Sequence, residues 1–189
     1  MTKIVGATLF ASCLLLLAAC GPKTPPPTIH TSMTDVVAPQ AQVIWDITNR
    51  SYNTAGDGFD PAKISAADWA KLRVAGRRLK ERGNILAKVH DIRAADPGAP
   101  IMGSGEAGAP TVQQIQAFID ADRAGLAEHA RDLAQAGATV EKAAKHKDLA
   151  PLYKVASGLD DVCDGCHEKY WGSDMPPAAA VAKALAARR

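Results

Sequence analysis

Sustained alternation of apolar and polar residues, the mark of half-buried strands, is missing from this chain, and no internal repeat stands out. An excess of charge of one sign is missing too. The 22 Lys and Arg stand against 20 Asp and Glu, so a nucleic-acid partner is not implied. No acid–base pair or nucleophile constellation suggests catalysis, and the chain does not read as an enzyme. Cysteine is scarce, with four residues in 189. No second Cys or His pair stands at metal-ligand spacing, which leaves a zinc site without a fourth ligand. A thioredoxin-type redox pair would want a strand before its helix, and the pattern has none.

The N-terminus reads as an export signal over residues 1–19: Lys3, an apolar stretch from Ile4 to about Leu17, then Leu17-Ala18-Ala19-Cys20. The apolar run is short for a membrane span. A small-residue cleavage site followed by cysteine resembles the bacterial lipoprotein signal. That resemblance implies that Cys20 is lipidated, becomes the first residue of the mature chain and anchors it on the periplasmic side of a bacterial membrane. An uncleaved anchor or an ordinary secretory signal is the alternative.

Cys163, Asp164, Gly165, Cys166 and His167 form C-x-x-C-H, the attachment motif for a c-type haem. Each thiol can add across a haem vinyl group, and the adjacent imidazole can reach the iron from the same side. On a helix, positions i, i+3 and i+4 share one face, so two anchors and one ligand point into the same space. The cysteine arithmetic then closes. Cys13 leaves with the signal, Cys20 takes lipid, Cys163 and Cys166 take haem c, and no thiol remains for a disulfide that the exported compartment would permit.

Residues 20–31 comprise the lipidated cysteine and a Pro-rich tether, 32–172 a helical domain, and 173–189 an Ala-rich tail. Helical periodicity starts at Met33 and ends near Tyr52, with Pro39 marking a kink or restart. A loop covers Asn53 to Ile64. Ser65-x-x-Asp68 opens a second helix whose inner stripe is Trp69, Leu72, Gly76, Leu79, Gly83, Leu86 and His90. Two glycines on that seam each cost about 1 kcal/mol relative to alanine. Either room for a flat ligand or close helix–helix approach offsets the cost. After a Gly-, Pro- and Ala-rich loop over 94–110, Thr111-x-x-Gln114 caps a third helix with the stripe Val112, Ile115, Ile119, Leu126, Leu133, Gly137, Val140 and Ala144. A fourth helix starts near Asp148, tolerates Pro151 in its first turn, and runs into the haem motif with Gly172 as its stop.

Four helices joined by modest loops predict an antiparallel up-down-up-down four-helix bundle, with the covalently bound haem near the C-terminal end of helix four. In that topology the haem meets the start of helix one (Met33, Val36, Val37), the end of helix two (Ile85, Leu86, Val89, His90) and the start of helix three (Val112, Ile115, Phe118, Ile119). A layout with a distal methionine from far downstream does not fit, because Met175 is too near His167 to cross to the other haem face.

A four-helix pattern ending in Cys163-Asp164-Gly165-Cys166-His167-Glu168-Lys169-Tyr170 resembles the cytochrome c-prime family, the class II c-type cytochromes. The resemblance spans roughly residues 33–171. It implies thioether links at Cys163 and Cys166, proximal ligation by His167, and a homodimer. The family usually has an arginine after the aromatic, where Trp171 stands here; Lys169 or an arginine from another helix is the expected substitute.

The sixth iron ligand separates two functions. Iron held by His and Met is saturated and suits electron transfer, whereas iron with His167 alone leaves a site for NO or CO. Met33 is the leading candidate ligand, with His90, Met102, His30 and an open site as alternatives. The reading is a membrane-tethered cytochrome that exchanges electrons with membrane-associated redox proteins; gas binding is the alternative. Lys71, Arg73, Arg77, Arg78, Lys80, Arg82 and Lys88 either steer an acidic partner or form a solvated face. From Cys20 to Met33 the chain reaches at most about 45 Å, which holds the haem end toward the membrane.

Overall fold

The computed structural model describes residues 26–101, 103 and 109–172. The export signal, Cys20, Met102, Met175 and the 173–189 tail lie outside them. The described chain is helical, and its one strand-like feature is an isolated bridge between Tyr52 and Phe59.

The first helical stretch begins a turn earlier than periodicity predicts, because Thr28 and Thr31 cap each other. The Thr31 N–H donates to Thr28 Oγ1 at 3.1 Å, and the Thr28 N–H donates to Thr31 Oγ1 at 3.0 Å. This starts α1 (Ile29–Ser32) inside what composition marks as tether. A π-helical turn follows at Met33–Val37, closed by the Ala38 N–H on the Met33 carbonyl, and then α2 (Ala38–Asn49). Pro39 explains the widened turn: it has no N–H to return to that turn, and its ring needs room against the carbonyl four residues back.

The predicted capping box opens α3 (Ala66–Lys88). Ser65 Oγ accepts from the Asp68 N–H at 3.1 Å, and the Asp68 carboxylate accepts from the Ser65 N–H at 3.0 Å. Arg50, just past α2, donates to the same carboxylate at 2.6 Å and ties the two helices together. The stripe from Trp69 through Leu72, Gly76, Leu79 and Gly83 to Leu86 is buried as expected. His90 is not part of it: the helix ends at Lys88, Val89 is extended, and His90 is exposed. Of the basic residues on α3, Arg77 pairs with Glu81 at 4.0 Å and Lys80 with Glu141 at 2.5 Å.

Helix three is two helices, α4 (Val112–Ala121) and α5 (Arg123–His146), broken at Asp122 with φ −139° and ψ 65°. The Asp122 carboxylate accepts from the Gly125 N–H at 3.0 Å, so the aspartate that ends one helix caps the next. Helix four is likewise divided at Gly158 into α6 (Leu149–Ser157) and α7 (Leu159–Tyr170). Pro151 sits in the first turn of α6, as its missing N–H allows.

The seam glycines serve close approach. A Cβ on Gly76 would lie 2.5 Å from the Glu141 nitrogen and 2.7 Å from the Gly137 carbonyl oxygen. One on Gly83 would lie 2.5 Å from the Ala130 carbonyl oxygen, and one on Gly137 2.5 Å from the Lys80 nitrogen. Thus α3 and α5 approach backbone to backbone from Gly76 to Gly83, and no ligand fits between them there.

The core falls into two clusters. One gathers Ile44, Leu72, Leu79, Val140, Leu152 and Leu159; the other gathers Leu86, Ile92, Ile115, Ile119, Leu126 and Tyr170. The second is roofed by α4 and by the start of the Gly- and Pro-rich connection. Ala94 donates to the Gln116 side chain at 2.7 Å, and Ile29 and His30 donate to the carbonyls of Arg93 and Ala94 at 2.9 and 2.8 Å. Met33 packs against both clusters and lies at their junction.

Candidate cofactor site

At that junction a cavity of about 320 Å³ opens between α1–α2, the end of α3, the first half of α5 and α7. The motif residues reach it because α7 is helical through all of them, which sets Cys163, Cys166 and His167 on one flank. Met33, Val37, Ala38, Ala41 and Trp45 line it from the first helical stretch, Leu86 from α3, and Leu126, Ala130 and Leu133 from α5. The lining is mainly apolar, and its polar groups are His129, His167, Asp160, Asp164 and the Trp45 indole.

Burial dominates the chemistry of both thiols. It raises the pKa of Cys163, helped by Asp160 and Asp164. It pushes Cys166 up to about 11, with Cys163 adding to the rise and Lys169 opposing it. Both are therefore neutral thiols near pH 7, unlike the thiolates of reactive or metal-binding cysteines. Among the described residues, no group of three or more His, Cys, Asp or Glu side chains converges to hold a bare metal ion.

The end of α7 is fastened to the break between α4 and α5. Tyr170 is buried, and its hydroxyl donates to the Asp122 backbone carbonyl at 2.9 Å. Lys169 forms an ion pair with the Asp122 carboxylate, which raises the lysine's pKa. Lys169 is thus committed away from the cavity. Arg123 follows Asp122 at the start of α5: its Nε donates to the His90 carbonyl at 3.2 Å, and burial lowers its pKa. Neither residue lines the cavity.

Of the residues assigned to the haem pole, Cys163, Cys166, His167, Met33, Val37 and Leu86 share the cavity. Ile85 is 42% exposed, and Val36, Val89 and His90 do not line it. Val112, Ile115, Phe118 and Ile119 do not line it either. The break at Asp122 sends α4 over the second cluster, and the α5 residues Leu126 to Leu133 take their place.

His129 was not legible as a site residue. It lies between Leu126 and Leu133 on the inner stripe, where i+3 spacing from Leu126 is the available signal. Its ring meets Tyr170 edge to face at 6.1 Å. A Cβ on Gly165 would lie 3.4 Å from His129 Cε1, so the imidazole lies against α7 at the motif glycine. Trp45, two turns beyond Val37, was also missed; its Nε1 is buried and has no hydrogen-bond partner.

These side chains suit a covalently held haem: two neutral thiols and an imidazole on one flank of α7, a thioether lining the same cavity, mainly apolar walls, and one indole N–H without an acceptor among the described residues. Among the described residues, no helix is long and apolar enough to cross a membrane. In comparisons with known proteins, no family model, curated protein or solved structure matches the chain.

Proposed function

We propose that this protein is a lipid-anchored, c-type cytochrome that transfers electrons at the periplasmic face of a bacterial membrane. The observation that carries the reading is the cavity that Cys163, Cys166, His167 and Met33 line together. A haem bound there supplies a one-electron couple. Each cysteine adds its sulfur and its proton across one vinyl double bond, so attachment consumes both thiols and releases nothing. His167 would hold the iron through its imidazole and Met33 through its thioether. The apolar side chains from Ile29 to Ala41 and from Leu126 to Leu133 keep water from the site and hold the low dielectric that favours the less charged reduced state.

The wider architecture of this proposal is the antiparallel up-down-up-down four-helix bundle of the cytochrome c-prime family. Support comes from the continuous helical stretch of α1 and α2 against α3, the backbone contact of α3 with α5, and the seating of α7 on α5. Export and lipidation at Cys20 rest on the leader sequence alone. Because α1 begins at Ile29, the tether is shorter than the periodicity implies, and it holds the cavity end near the membrane and its redox partners.

The test is spectroscopic. Mass analysis and the pyridine haemochrome of the purified full chain should show one haem c. Absorbance of the reduced protein should be low-spin and unchanged by CO. Prompt, tight CO binding would reject saturated iron and turn the reading to gas capture.

A further inference from the structure

We propose that the Trp45 indole N–H is a hydrogen-bond donor to a haem propionate. The inference rests on the haem reading above. Trp45 lines the cavity, its Nε1 is buried, and no acceptor among the described residues meets it. A buried donor without a partner costs about 1–3 kcal/mol, so such a group is expected to be satisfied by whatever fills the adjoining space.

The position selects the acceptor. Met33 and Trp45 are on the same helical stretch, separated by roughly 18 Å of axis at 1.5 Å per residue. If Met33 and His167 both held the iron, Trp45, further along the same cavity, would face the macrocycle periphery. The haem groups at the periphery that accept strongly are the two propionate carboxylates. They leave the ring on the edge opposite the vinyl groups, and hence away from the wall that carries Cys163 and Cys166. Among the described residues, no lysine or arginine lines the cavity to compete for them. Of the other polar groups in the lining, Asp160 and Asp164 are carboxylates and His129 lies against Tyr170 and Gly165, so the indole is the donor left to meet a propionate, and it stabilises the charged carboxylate there.

The test compares haem-loaded wild type with Trp45→Phe, which keeps an aromatic ring and removes the donor. Loss of a hydrogen bond to the ionised carboxylate raises its pKa. The propionate-linked inflection in the plot of reduction potential against pH should move up by about one unit. Asp160, Asp164, His129 and His167 also face the cavity and are common to both proteins, so the difference reports Trp45. In wild type, the Trp45 indole N–H resonance should titrate with the same midpoint as that inflection, a readout that stands even where Trp45→Phe loads no haem. An indole resonance that ignores the titration, or an inflection that Trp45→Phe leaves in place, overturns the inference while the haem reading stands. So does an inflection that disappears in Asp160→Asn, because the titrating carboxylate would then be Asp160. A wild-type chain without covalent haem overturns both.

Discussion

Gly83→Ala should destabilise this protein, although alanine is the better helix former. Propensity alone favours the substitution by about 1 kcal/mol. The structure opposes it: the new methyl would sit 2.5 Å from the Ala130 carbonyl oxygen, 2.7 Å from the Ala134 nitrogen and 2.9 Å from the Ala134 Cβ. Two of these are backbone atoms of a long helix and cannot rotate away. The helices must separate by roughly 1 Å, enough to forfeit a quarter to a half of the dispersion energy at the contact. Overpacking costs up to about 3 kcal/mol, which leaves a net loss of about 2 kcal/mol after the propensity gain. For a domain of this size that is a fall of about 4–8 °C in Tm. Urea and thermal unfolding followed by circular dichroism measure it. Gly76→Ala, facing Glu141 and Gly137 on the same seam, should behave alike. Only Gly83 faces Ala130, a cavity residue, so only Gly83→Ala should also disturb the haem spectrum. A Gly83→Ala protein as stable as wild type, or more so, would refute the close-approach argument and revive ligand room as the reason for the glycines.

Met33→Ala should lose the low-spin spectrum and admit CO; an unchanged spectrum rejects Met33 as ligand. Tyr170→Phe removes the hydroxyl that donates to the Asp122 carbonyl and should cost about 1 kcal/mol in urea unfolding, whereas no change would mean that α7 is held by packing alone. The Asp68 carboxyl is held below its ordinary value, first by the Ser65 side-chain hydrogen bond and then, against a desolvation cost, by the Ser65 backbone and Arg50. The unfolded chain therefore takes up the Asp68 proton first as pH falls. The stabilisation is complete above about pH 4 and is lost as pH drops through the lower folded value. Asp68→Asn should flatten the decline of stability below about pH 4, and an identical acid profile would count against the role of this cap.

The residue types and their order determined by themselves the all-helical class, the caps at Ser65 and Thr111, the buried stripe of α3, and the common flank of Cys163, Cys166 and His167. Each follows from local rules: a side chain reaching its own helix end, or a periodicity that sums over neighbours along one helix. Met33 was nominated by chain polarity and its apolar flank, and it lines the same cavity as the motif. Tertiary structure decided what depends on residues far apart in sequence. The breaks at Asp122 and Gly158 are invisible to apolar periodicity, because the stripe continues across both. The seam glycines had two open explanations until the backbone atoms of α5 were located a contact away. His129 and Trp45 became site residues only when α5 and α2 were set beside α7, and His90 left the site because its helix ends two residues too soon. A lone polar residue on an apolar stripe carries no local sign of what it faces; that is fixed by the packing of another helix.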